Sequence, residues 1–303
     1  MAGTYHSQED TIADKIKIMI RNPAYFQALD KYLTEVKMDD MKAYLLFRLA
    51  FVLGADMDQH MEDMGFMLQR VITGQMNKVP RWKKCMHSAT NALPDDVGKI
   101  FVEHFFSVKT KQAAERMLLR LKLAFKDDLD NVKWLAESTK DAAKEKLKAM
   151  FFAIGEPSHW NSDGNLKLSE TRFLWNGLQL SEWYIHHSFL RLTGVTAKKR
   201  WGSTSPTMAD AFYSYTANGL FVPAGILQAP FFSPTFEDPR NYGALGGILG
   251  HEITHGFDDQ GRKFGGNGQF NNWWGEDDVK SFKKKAKCIV DFYSKVPRVS
   301  LKC

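Results

Sequence analysis

His251-Glu252-Ile253-Thr254-His255 sets two imidazoles four residues apart, with a carboxylate beside the first. On a helix, that spacing puts both rings on one face, so His251 and His255 can aim at a single ion. Zinc takes neutral imidazole nitrogen at about 2.0–2.1 Å and, in catalytic sites, leaves one position open for water. Glu252 stands where it can reach that water without ligating the metal itself. The chemistry on offer is metal-assisted hydrolysis with Glu252 as the base. The bland alternative is an amphipathic helix carrying two surface histidines, and the pentapeptide alone does not decide between them.

The flanks favour the metal. Asn241 to Gly250 runs into the motif as a small, apolar stretch without proline, which permits a helix. Gly243, Gly246, Gly247 and Gly250 weaken its intrinsic propensity and suggest a helix packed closely against other structure. The longer His-Glu-x-x-His-x-x-Gly-x-x-His extension is absent, because Asp258 and Gly261 occupy its Gly and last His positions. A third ligand must then come from a separate element, usually as a Glu. Glu276 lies at a tempting distance, but Trp273 to Asp278 reads as the acidic start of a helix. Upstream, Ala211 to Tyr215 and Leu220 to Val222 flank Asn218-Gly219, a strong hairpin signal. A strand edge beside a zinc helix can hold an extended peptide by backbone hydrogen bonds.

These elements sit in a chain of 303 residues, 44% hydrophobic and 13% aromatic. It can bury a large core, and its length suggests about two domains. The net charge of +6 is spread out, and its densest run, Lys283-Lys284-Lys285 with Lys287, reads as the solvated face of a helix. No nucleic-acid partner is expected. Nor is a membrane span, since the best apolar run, Ala43 to Leu53, is short and contains Arg48. The N-terminus shows no signal peptide or anchor. Cys85, Cys288 and Cys303 are odd in number, which suggests a reduced compartment or partners elsewhere.

The first half reads as helices. Asp10 to Arg21 carries Ile12, Ile16 and Ile20 at helical spacing, and Met38 to Gly74 is one long helix or two joined ones. Pro94 opens another, Thr110 to Phe125 is amphipathic, and Ser138 to Asp141 resembles a capping box for a helix closed by Gly155 and Pro157. His104, His186 and His187 are expected to be core or surface histidines. The expected fold is mainly α with a small β part.

Ala211-Phe212-Tyr213, Phe221 to Gln228, Pro230-Phe231-Phe232, Asn241-Tyr242-Gly243 and Gly250 to Gly261 follow one another in order and spacing. Together with Arg81 to Cys85 and Asp128 to Trp134, they resemble the neprilysin and endothelin-converting-enzyme family of zinc metallopeptidases. The resemblance implies a helical domain over 1–170 capping a thermolysin-like zincin catalytic domain over 171–303, and a zinc-dependent endopeptidase that cuts oligopeptides. It implies Zn2+ on His251 and His255, and Glu252 as general base. Asp210 and Ala211 match a pair that hydrogen-bonds the substrate backbone, although Asp210 stands where the family has Asn and so can accept but not donate. Ile226, Phe231 and Ile248 match the lining of an apolar side-chain pocket, which Gly247 would widen. Asp258 or Asp259 can steady a zinc histidine from behind, or be plain loop carboxylates.

The resemblance also implies an extracellular or plasma-membrane ectodomain, often of a type II membrane protein. It places the third ligand, a Glu, beyond Cys303, so this chain is expected to be truncated and inactive as written. It implies that Cys85 and Cys288 do not pair with each other. The rival expectation is a fragment or paralogue that binds peptides or a partner without cutting them.

Overall fold

The structure is a computed structural model that describes residues 20, 22–160, 166–193, 201 and 204–296. In chain order the elements are α1 (Pro23–Glu35), α2 (Met38–Met57), α3 (Gln59–Thr73), α4 (Arg81–Ala92), α5 (Pro94–Phe105), α6 (Val108–Asn131), α7 (Glu137–Ala149) and β1 (Phe151–Gly155). Then come α8 (Phe173–Thr193), β2 (Phe212–Ser214), β3 (Gly219–Pro223), α9 (Asp238–Asn241), a π-helical turn (Tyr242–Gly246), α10 (Gly247–His255), a 3-10 turn (Gly261–Lys263) and α11 (Glu276–Ser294). Among the described residues the fold is mainly helical with one small sheet, as expected. The helix expected over Asp10 to Arg21 lies outside the described residues, apart from Ile20, and so does Cys303.

Two compact units form, one within Met1–Ala92 and Ser162–Ala197, the other within Leu93–Asn161 and Lys198–Cys303. This differs from a single cut near residue 170. The reason is visible in the sheet, where β1, from before that point, pairs with β3 from after it.

The first unit holds α1 to α4 and α8. Asp58 divides the long apolar stretch after Met38 into two helices. Its backbone is extended, and its carboxylate accepts from the Met61 N–H at 2.9 Å, capping α3. Gly74 closes α3 in the left-handed region, with φ of 73°. Large apolar side chains on these helices, among them Phe47 and Met67, are exposed.

The second unit holds the motif. Its sheet has the order β1-β3-β2, with β1 parallel and β2 antiparallel to β3. The expected hairpin is present: Phe212 faces Phe221 and Ser214 faces Gly219 across it. All of β3 is buried, as a central strand covered on both faces should be. Its Leu220 and Val222 join Met117 and Leu118 of α6, Ala143 and Leu147 of α7, and Leu245, Leu249 and Ile253 in one core. The last three recur every four residues, so they form the stripe that seats the motif helix.

Two local readings are corrected. The helix read from Ser138 begins at Glu137 and ends at Ala149, and Phe151–Gly155 is strand β1. Ser138 lies inside the helix and does not cap it, since the N-cap position is Ala136. The Thr139 hydroxyl donates to Asp278 Oδ2 at 2.6 Å, and Asp278 Oδ1 accepts from the Ala136 N–H at 2.9 Å. A carboxylate 142 residues away therefore does the work expected of a local capping box. The motif glycines also differ from expectation. A side chain at Gly243, Gly247 or Gly250 would meet open space, and among these four only Gly246 is packed closely, against Met117 and Tyr242.

Asp278 thus satisfies a buried hydroxyl and a part-buried backbone N–H. Asp278→Ala should cost about 1–3 kcal/mol in chemical denaturation, because both are left unpartnered. Glu276→Ala, on the exposed first turn of α11, should change stability by less than about 0.5 kcal/mol. Equal costs for the two would contradict the capping assignment.

Candidate metal centre

α10 carries its apolar residues inward and its histidines outward. His251 is 66% exposed in its side chain and His255 34%. Their ring centres lie 4.6 Å apart at an interplanar angle of 82°. Glu252 reaches between them from a buried position, 9% exposed, with Oε1 at 3.9 Å from His251 Nε2. One donor atom from each of the three residues falls within 4.8 Å of the others. Among the described residues this is the one group of His, Cys, Asp or Glu side chains able to hold a metal ion, and Glu276 does not belong to it.

The two reactive residue types are fixed by different partners. Tyr213, on edge strand β2, donates its backbone N–H to Glu252 Oε2 at 2.9 Å. One carboxylate oxygen is held and the other is left towards the histidines. Burial raises the Glu252 carboxyl above its ordinary range, while His255, the Tyr213 amide and His251 pull it back. His255 donates from Nδ1 to Asp258 Oδ2 at 2.7 Å. A carboxylate can only accept, so the ring proton sits on Nδ1 and Nε2 keeps its lone pair for a metal. Asp258 is held in turn: Oδ1 accepts from the N–H of Gln260 and of Gly261, at 2.9 and 2.7 Å. Asp259 instead accepts from the Gln260 side chain. Two imidazoles on one face, one tethered through Nδ1, suit a borderline divalent ion such as zinc.

The remaining sequence candidates are placed as follows. Asp210 is exposed and turns its Oδ1 onto the N–H of Ala211 at 2.9 Å. Ala211 is buried. The N–H groups of residues 211 and 213 are therefore both engaged within the chain. Ile226 is 2% exposed, inside the core. Phe231 is at the surface, and Ile248 is half-buried against the core. Cys85 and Cys288 are both exposed and free. His104 and His186 are exposed.

Three groups near the centre escaped the sequence reading. Tyr215 reaches Asp258 Oδ2 with its hydroxyl at 3.4 Å. Asn218, read only as a turn residue, is fully buried and accepts from the Tyr213 hydroxyl at 2.7 Å. Lys146 is 2% exposed and donates to the carbonyls of Gly261 and Phe264, each at 2.7 Å. Its ammonium is lowered by burial to a pKa of about 8, against a small opposing pull from Asp258. Lys146 could have been noticed, because it shares the apolar stripe of Ala143, Leu147 and Met150.

Two family models match this chain, both described as peptidase family M13, over residues 4–157 and 210–302. The chain belongs to peptidase family M13. Among the curated M13 relatives, it is 34% identical over 304 residues to neprilysin-11 of Caenorhabditis elegans, covering 95% of this chain and 35% of that protein. It is 32% identical over 296 residues to an endothelin-converting enzyme homolog of Locusta migratoria, covering 93% and 40%. The zinc metalloprotease Zmp1 of Mycobacterium tuberculosis, solved with an inhibitor, superposes with a TM-score of 0.85 at 27% identity, over 91% of this chain and 42% of that one. The chain therefore spans about two-fifths of the length of its M13 relatives.

The raised Glu252 carboxyl has a consequence for stability. A carboxyl held above its ordinary pKa stabilises most while protonated, and that contribution is lost as pH rises through the folded-state value. In the metal-free chain, Glu252→Gln keeps an acceptor for the Tyr213 amide and removes the buried charge. It should therefore raise unfolding stability at pH 7 by about 0.5–2 kcal/mol, with the gain shrinking towards pH 4. Thermal denaturation across that range checks it, and a loss at pH 7 would contradict the assignment.

Proposed function

We propose that this chain carries the helix of a zinc-dependent metalloendopeptidase on which peptide hydrolysis takes place. The observation that supports the reading most is the pairing of Glu252, anchored by the Tyr213 amide, with two outward imidazoles of which His255 is oriented by Asp258. Its membership in family M13 supports the same reading.

His251 and His255 would hold the ion, His255 through Nε2. Zinc bound there would supply Lewis acidity towards a peptide carbonyl and a water. Glu252 takes the proton from the attacking water with its free oxygen and delivers it to the leaving amine. Its burial suits the first of these steps, because a carboxylate whose pKa is raised takes up a proton more readily than an ordinary one does. Asp258 keeps the His255 proton on Nδ1 throughout. A peptide lying along β2 has to be met by carbonyl groups there, since the N–H groups of Ala211 and Tyr213 are already engaged. Asp210 adds a further acceptor. Phe231 and Ile248, each with exposed surface, are assigned to a side-chain pocket, and the buried Ile226 supports it from within.

The substrates are proposed to be oligopeptides, and the setting an extracellular or plasma-membrane ectodomain, both by likeness to neprilysin and endothelin-converting enzymes. No described helix is long and apolar enough to cross a membrane.

Among the described residues only His251 and His255 remain as ligands once Glu252 is the base, whereas catalytic zinc sites use three. The 303-residue chain should therefore bind zinc weakly enough to lose it on dialysis, and should show no turnover of a quenched peptide in added zinc. In a chain extended to the length of its relatives, zinc should be retained and peptide cut, and Glu252→Gln should lower kcat by about 10²–10⁴ without loss of metal. Turnover near the parent rate in that variant would refute the base assignment. Retained zinc with no turnover in the extended parent would leave a binding role only.

A further inference from the structure

We propose that Lys146 is a positioning residue for the metal-binding imidazole of His255, acting through Gly261 and Asp258. The inference rests on the zinc-site reading above. An ammonium is costly to bury, and it is tolerated where its protons find acceptors. Lys146 has two, the carbonyls of Gly261 and Phe264. Both carbonyls already receive the Trp273 indole N–H, at 3.4 and 3.1 Å, so neither needs a lysine merely to be satisfied. Lys146 also braces the 3-10 turn that begins at Gly261.

Gly261 is gripped from both sides. Its carbonyl accepts from Lys146, and its N–H donates to Asp258 Oδ1. The other oxygen of Asp258 carries the His255 ring. There is no room at Gly261 for a side chain, since an added carbon would fall on the His255 carbonyl oxygen. A shift of Gly261 is therefore passed to Asp258 and on to the imidazole. The same lysine is anchored at its backbone: its carbonyl accepts from Asn218 Nδ2 at 3.1 Å. Asn218 in turn accepts from the hydroxyl of Tyr213, whose amide holds Glu252. The base and the His255 ligand are thus referred to one point on α7.

The test compares Lys146→Met with Asp258→Asn and with the double variant. Methionine keeps an apolar stem beside the Phe257 and Trp273 rings and removes the donors. In the metal-free parent, nitrogen NMR of labelled histidine should show His255 as a single tautomer, protonated at Nδ1. In Lys146→Met that signature should give way to exchange between tautomers. Zinc affinity, read by competition with a chromophoric chelator, should fall about 10-fold in Lys146→Met and by a similar factor in Asp258→Asn. The double variant should lose less than about 2-fold more, because both act through one carboxylate. Parent-like His255 nitrogens and zinc affinity in Lys146→Met, whatever its melting temperature, would overturn the proposal, as would fully additive losses. If Lys146→Met does not fold, Lys146→Gln, shorter by one bond, should show the tautomer change in smaller measure, and an unchanged ring signal there is equally decisive. A parent that shows the fixed tautomer but has no zinc affinity at all, as distinct from the weak, dialysable binding expected of a two-histidine site, would count against the zinc reading and not against Lys146.

Discussion

A carboxylate almost out of water needs a donor, and for Glu252 that donor is the backbone N–H of Tyr213. The rest of the centre depends on this contact. It exists because β2 is an edge strand, with an N–H not taken by β3, and because α10 is pressed against the same unit. Leu245, Leu249 and Ile253, all buried, press it there. Once that stripe faces inward, geometry leaves His251 and His255 facing out and Glu252 at the boundary between core and solvent. The buried face of the helix and the reactive face are therefore consequences of a single orientation.

Much of this was legible in the sequence because it is local. The spacing of His251, Glu252 and His255, the hairpin at Asn218-Gly219 and the acidic start of α11 are each written within a few residues, and each is present as read. What was not legible depends on distant partners. Asp278 caps α7 across 142 residues, so a Ser-Thr-Lys-Asp string looked like a local cap when it was not. Phe151–Gly155 became a strand because β3 offers it a parallel edge, which no period within five residues announces. Asp258 and Asp259 are identical in type and adjacent, and only the turn between His255 and Gly261 decides that Asp258 meets the ring.

The glycines before the motif teach a related lesson. Four in a short run suggest close packing, yet the space beside Gly243, Gly247 and Gly250 is open. A π-helical turn interrupts the run at Tyr242–Gly246, and such turns recur beside functional sites. Polar groups behind the centre follow the opposite logic. Lys146 and Asn218 look unremarkable in sequence, but in a buried setting every donor and acceptor has to be matched. Their pairing ties α7, the hairpin and the loop after His255 into one polar framework beneath the two imidazoles.

The central claim is that His251 and His255 together hold the metal. X-ray absorption at the zinc edge of the zinc-loaded chain tests it directly. The account predicts two imidazole nitrogens at about 2.0–2.1 Å, no sulfur neighbour, and one imidazole fewer in His255→Ala. A sulfur shell, or an imidazole count unchanged by that substitution, would contradict it.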